Sequence, residues 1–350
     1  LTQHTDQGQP SGGLSFRRSL LSVLTLLLLT GLMFLIFQDH LPEIRQAIGK
    51  LSPAQLGLLL ALALTYPLIE GVISQRVLAS RVPGFSFRRG LDLAFLGAFG
   101  NVVTFGAGTL PMQGYDISLS GLPAVPGMGL MTLQYVFHKG AVMVYAVLLL
   151  ALNGRWLLAA DAAGMMRYLL PACLMVAAII LALVLVCTSR TVQRAAYWAL
   201  GRLPDSGKWQ ARRQSWTRQL DGLAAESRSL LADRKLCIQM FLLQVVKLAL
   251  MYAIVWLGTD FMDLGPLTFW QAQTLAALMM LLSNALPNVG GMGSVEASFY
   301  LVFTGFLGQS GTMSVLLLYR AATYYFTFAV SCVGFFFIQR RWARGKQAAA

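Results

Sequence analysis

Two glycine- and proline-broken stretches interrupt apolar runs long enough to enter a bilayer, and they constrain this chain more than any other feature. In the second stretch Pro287, Gly290, Gly291 and Gly293 break the run, and Glu296 follows within one helical turn. In the first, Gly106, Gly108, Pro111 and Gly114 lie among Asn101, Thr104 and Gln113. Backbone broken at membrane depth is tolerated only where protein or water satisfies its freed N–H and C=O groups. An ionisable residue beside such a break is a functional-site hypothesis by default. Substrate is therefore expected near Glu296.

Composition supports a membrane setting. Of the 350 residues 57% are hydrophobic and 12% charged, against about 25% charged in an ordinary soluble domain. The chain reads as an all-α integral membrane protein with no room for a separate soluble domain of usual size. A net charge of +13 suits nucleic acid binding on its face, but its placement argues for topology. Arg17 and Arg18, then Arg76, Arg81, Arg88 and Arg89, then residues 190–235, then Arg340, Arg341, Arg344 and Lys346 flank apolar runs. Basic loops of this kind stay cytoplasmic, which predicts both termini on that side and no nucleic acid partner.

Six runs are each long enough, at about 20 residues, to span: 19–37, 54–77, 128–152, 168–187, 236–258 and 313–338. Two more, 91–127 and 269–307, are interrupted near their middles. Each suits a re-entrant hairpin or two short spans, the latter giving eight or so spans in all. The charge assignments agree only if each interrupted run enters and leaves on one side, the first from the cytoplasm and the second from outside. The predicted order is a disordered segment (1–16), an N-terminal membrane half (17–152), a connecting loop and span (153–189), a basic cytoplasmic segment (190–235), a C-terminal membrane half (236–339) and a basic tail (340–350). The halves repeat one pattern with opposite orientation, a pointer to a transporter-like site near the midplane. Within 190–235, Trp209, Trp216, Leu220, Leu223, Leu230 and Leu231 recur at helical spacing among arginines. That predicts a basic amphipathic helix on an anionic membrane surface.

Charged groups inside the runs cost about 2.5–3.5 kcal/mol each at a helix centre, so each needs a reason. The candidates are Glu70, His138, Lys139, Lys247, Glu296 and Arg320, with Asp116 beyond the first break. Glu296 with Arg320, and Asp116 with Lys139, are the expected pairs. Either such pairs hold the bundle together, or their cations face a phosphate or carboxylate head group. Glu70, Lys139 and Lys247 have the alternative of snorkelling from tilted helix ends. The density of glycine after Pro287 predicts a helix restarting near Ser294, whose free N–H groups favour an anion. Neither HExxH, GxSxG nor P-loop spacing occurs, and the histidines (His4, His40, His138) and four cysteines are scattered. No metal, cofactor or catalytic residue is expected.

Pro287-x-x-Gly290-Gly291-x-Gly293-x-x-Glu296-x-x-Phe299, followed by Arg320-x-x-x-Tyr324-Tyr325, resembles the C-terminal signature of the lysylphosphatidylglycerol synthase transmembrane region, or flippase-like domain. Asn101, Thr104, Pro111, Gln113 and Tyr115 resemble its N-terminal motif, with Phe105 where that pattern has Pro and with Thr109-Leu110-Pro111 for a Gly-Gly-Gln-Pro element. The resemblance implies a multi-pass protein of a bacterial cell membrane that handles phospholipid or glycolipid. It implies transfer of a lysyl-phosphatidylglycerol-like lipid between leaflets and resistance to cationic antimicrobial peptides. Full-length members add a soluble domain that transfers lysine from aminoacyl-tRNA to phosphatidylglycerol. The given sequence starts at Leu1 rather than Met and stops at Ala350 soon after the last run, so a truncated start and a stand-alone membrane region are expected. A lysyltransferase activity would then need a separately encoded partner, and an envelope scaffold is the third reading. Glu296, Arg320, Lys139, Lys247, Asn101, Gln113 and Tyr324 are the expected substrate-binding residues. Gly106, Gly108, Pro111, Pro287, Gly290, Gly291 and Gly293 are the expected hinge and backbone-donor positions.

Overall fold

The computed structural model describes residues 51–160, 166–202, 229–265, 267–286 and 291–349, together with residues 49, 164 and 217. The predicted span 19–37 and the segment 1–16 lie outside the described residues, as do Trp209, Trp216, Leu220, Leu223, Pro287 and Gly290. The described helices are α1 (Pro53–Ala79), α2 (Phe87–Val103), α3 (Thr109–Ser118), α4 (Ala124–Ala160), α5 (Met166–Thr188), α6 (Arg190–Gly201), α7 (Arg234–Phe261), α8 (Phe269–Ser283), α9 (Ser294–Arg320) and α10 (Thr327–Ala349). A six-residue π-helical segment, Ala321–Phe326, joins α9 to α10. Among the described residues, four helical stretches are long and apolar enough to cross a membrane: Pro53–Ala79, Ala124–Ala160, Arg234–Phe261 and Ser294–Ala343. The chain is an all-α membrane protein, as its composition predicted.

Local signals place the helix ends. Ser52 caps α1 by accepting from Gln55 N–H at 3.2 Å, while the Gln55 side chain accepts from Ser52 N–H at 2.8 Å, and Pro53 opens the first turn. Thr268 and Gln271 cap α8 in the same reciprocal way. Each such box satisfies two backbone donors that a helix start leaves free. Ser86 caps α2 after a turn through Gly84, and Asp233 caps α7 by accepting from Leu236 N–H at 2.9 Å.

Packing inside a bilayer gains little from apolar burial and depends on close contact between small residues. At the α1–α2 contact, a Cβ on Gly90 would lie 2.2 Å from the Gly71 carbonyl oxygen, so no larger residue fits there. The remaining helices interleave the two halves. α1 packs on α7, α2 on α10, and α8 on α4. Large apolar side chains that face out of the bundle, such as Leu148, Leu152, Ile179, Ile238, Leu242 and Phe337, supply the lipid-facing perimeter.

Both interrupted runs are helical hairpins. α2 and α3 form the first, and α8 with the first half of α9 forms the second, ending where Gly308 (φ 67°, ψ 176°) bends the chain into the last span. The open end of the first hairpin lies with the basic segments. There Arg341 pairs with Asp92 at 2.6 Å, Trp342 Nε1 donates to Asp116 at 2.7 Å, and Arg76 donates to Gln239 at 2.8 Å. The open end of the second lies at the opposite end of α7, where Trp256 meets Phe269 and Trp156 meets Phe306.

Candidate functional site

Glu296 and Arg320 meet, as their positions around the second break predicted. Arg320 Nη2 lies 2.6 Å from Glu296 Oε1, with both side chains over nine-tenths buried. The other carboxylate oxygen accepts from Gly293 N–H at 2.6 Å. The restarted helix begins at Ser294 as expected, and Glu296 itself supplies the negative charge its N-terminus favours. Arg320 also donates to the Gly291 carbonyl at 2.5 Å and stacks its guanidinium 4.3 Å from the Tyr324 ring centroid. One arginine thus ties the broken backbone, its acid and the next span together.

The two breaks touch each other. Gly291 has φ +91°, in the left-handed region, and a Cβ there would lie 2.9 Å from Tyr324 Cε2 and 3.3 Å from Asn101 Nδ2. Only glycine suits both the conformation and the space. Val102, Met292 and Tyr324 form a small buried cluster beside it, with Tyr325 and Phe328 packed against it. Asn101 and Tyr324, expected as binding residues in different halves, are therefore neighbours.

The first break is tighter than expected, spanning Thr104–Gly108 between α2 and α3. Thr104 Oγ1 donates to the Gly100 carbonyl at 2.6 Å and accepts from Gly108 N–H at 2.5 Å, while Gly106 N–H donates to the Asn101 carbonyl at 2.8 Å. Pro111 and Gln113 fall outside the break, in α3. Proline is tolerated in that first turn because its missing N–H would be unpaired anyway. Gln113 is held within its own hairpin, donating to the Leu93 carbonyl at 2.9 Å. Phe105 has φ +55°, a value closed to proline, so the departure from the family pattern at this position matches the local backbone.

Two expectations need correction. Asp116 does not pair with Lys139. Its carboxylate binds Trp342 at the basic end of the bundle, whereas Lys139 Nζ donates to Asn284 Oδ1 at the end of α8. Lys247 does not snorkel: it is fully buried, ion-paired with Glu70 and 4.4 Å from the Tyr66 ring centroid. The α1–α7 contact brings the two together, and desolvation makes an unpaired lysine there far costlier than a paired one. Gln134 extends the network by donating to Glu70 at 2.7 Å and bonding Ser74, and His138 Nδ1 lies 3.1 Å from Gln244 Oε1.

Sequence reasoning passed over Asn284 and Gln134. Asn284 carried a usable signal: Gly100-Asn101 before one break is mirrored by Ser283-Asn284 before the other. Among the described residues no group of three or more His, Cys, Asp or Glu side chains could hold a metal ion.

The family described as the lysylphosphatidylglycerol synthase TM region matches residues 20–331. The chain belongs to that family. No curated protein matched the chain.

Proposed function

We propose that this member of the lysylphosphatidylglycerol synthase transmembrane family binds a phospholipid or glycolipid head group at the junction of its two broken hairpins and moves it between leaflets. The observation that carries this reading is the Glu296–Arg320 pair, anchored on the Gly291 carbonyl and stacked on Tyr324 beside Asn101. A buried ion pair is weak evidence for stability, since apolar replacements of similar volume are often neutral or better. Its place at unwound backbone resembles the discontinuous-helix sites of transporters. Inverted pairing of the halves supports the same reading, because α2 packs on α10 as α8 packs on α4, and the hairpins open toward opposite ends of the bundle.

In this reading Glu296, Arg320, Asn101 and Tyr324 contact the head group, and Gly291 and Gly293 let the second break flex as the halves rock. Gln113 shapes the first hairpin. Both termini face the cytoplasm of a bacterial cell. Reporter fusions within 118–126 should read cytoplasmic, and fusions within 260–265 external. The test is lipid transfer in liposomes holding the purified chain, with head-group-labelled phosphatidylglycerol, lysyl-phosphatidylglycerol and a neutral glycolipid. Transfer lost in Glu296→Gln supports the proposal; no transfer of any lipid, with or without a proton gradient, overturns it. The family name favours one second reading, lysine transfer to phosphatidylglycerol with a soluble partner. That reading requires product from lysyl-tRNA only when the partner is added.

A further inference from the structure

We infer that Lys139 and Asn284 form an anion site open to the membrane, and that the phosphate of an anionic phospholipid, rather than a lysyl-bearing cationic one, is its ligand. The inference rests on the lipid-handling reading above and narrows its substrate class. Charge bookkeeping within the spans carries it. Lys247 is matched by Glu70, and Arg320 by Glu296. Lys139, near the middle of α4, has no carboxylate partner among the described residues and is matched only by the neutral Asn284 side chain. A cation held at depth against a neutral amide is costly unless an anion joins it.

The geometry fits such a ligand. Asn284 is locked in place because its Nδ2 donates to the Met280 carbonyl at 2.7 Å, which fixes Oδ1 toward Lys139. A lysine ammonium has three donors, and Asn284 is its one hydrogen-bond acceptor among the described residues, so no other described residue takes the remaining two. One turn earlier on α4, Tyr135 lies under the ammonium at 5.0 Å and is 54% exposed on the lipid-facing side. The lysyl ester of phosphatidylglycerol would bring two further ammonium groups beside a lysine that has no carboxylate partner among the described residues, while the acids Glu70 and Glu296 are already paired with Lys247 and Arg320. Like charges so placed repel, and the site therefore selects against that lipid.

The experiment is equilibrium binding to the purified full chain in phosphatidylcholine nanodiscs. The probes are fluorescent-tail phosphatidylglycerol, fluorescent-tail lysyl-phosphatidylglycerol and, as the water-soluble source of the same phosphate chemistry, glycerol 3-phosphate. Saturable phosphatidylglycerol binding is expected, stronger than lysyl-phosphatidylglycerol binding, and weakened about tenfold in Lys139→Met, the loss of one charge-assisted contact. Lys139→Arg should restore it, and both variants should keep the wild-type thermal transition, so that lost binding is not lost folding. Equal binding of the two lipids, or unchanged binding in a folded Lys139→Met, overturns the inference. Competition by glycerol 3-phosphate at the lipid's own concentration keeps the anion site but overturns the lipid as its occupant. Failure here leaves Glu296-dependent transfer in liposomes untouched, and failure of that transfer leaves this binding measurement intact.

Discussion

At the first break the freed backbone groups are met by neutral partners from the same hairpin: Thr104 Oγ1, the Asn101 carbonyl and the Gly106 turn. At the second, charge does the work, and the partner comes from beyond the Gly308 bend, since Arg320 reaches from the far end of α9 to Glu296 and the Gly291 carbonyl. A hairpin closed by its own hydroxyl can form before its neighbours arrive. A hairpin closed by a remote guanidinium is complete only when the last span is in place, and any rotation of that span pulls on it. The difference teaches that similar broken helices can be closed in unlike ways; under the proposed function the first is a fixed wall and the second a coupled joint.

Breaking the charged closure should have the largest effect. Arg320→Ala leaves a buried carboxylate uncompensated, a change worth about 3–5 kcal/mol, to be read from denaturant unfolding, and should abolish lipid transfer. Glu296→Gln with Arg320→Met sharpens the contrast, because Gln keeps the cap on Gly293 N–H. That double variant should recover most of the stability and none of the transfer; recovered transfer would make the pair a structural tie alone. Next comes Gly291→Ala. It adds a Cβ 2.9 Å from Tyr324 in a left-handed conformation, at a cost of about 1–3 kcal/mol, and should slow transfer while the chain still folds. Thr104→Val should cost about 1 kcal/mol with little effect on transfer, as befits a wall. A loss of transfer as deep as that of Gly291→Ala would erase the distinction between the breaks. The smallest effect should be opposite in sign. Phe105→Gly relieves a positive φ that costs a side-chain-bearing residue about 1–2 kcal/mol, partly offset by glycine's entropy of about 0.5–1 kcal/mol, so a slight rise in melting temperature is expected.

Much of this architecture was legible in residue order. Apolar runs and basic flanks gave the helices and the end of the bundle where Arg76, Arg341 and Trp342 gather. Glycine density after Pro287 gave the restart at Ser294, and the pairing of Glu296 with Arg320 followed from an acid at the break and a cation in the last span shortly after it. What stayed hidden was partner choice across the halves. Lys247 and Glu70 are 177 residues apart and belong to helices whose contact is set by close packing rather than by any local pattern. Asp116 and Lys139 looked like a pair because the analogy with Glu296 and Arg320 suggested it. In fact the aromatic and charged end of α10 takes Asp116, and the second hairpin takes Lys139. In residue order the first break reads as extending to Gly114, because Pro111 and Gly114 count as helix breakers, whereas the opening turn of α3 accommodates Pro111 and the helix already runs from Thr109.

The Glu70–Lys247 pair has a consequence for biosynthesis. A ribosome working at about 5–20 residues per second makes Lys247 roughly 9–35 s after Glu70, whose helix is by then already delivered to the membrane. Gln134, 64 residues downstream, arrives sooner, after about 3–13 s, and gives the waiting carboxyl a first donor. The nascent chain thus holds an acid in reserve until its counter-ion is translated. The moment α7 docks is the moment the two halves become a single molecule.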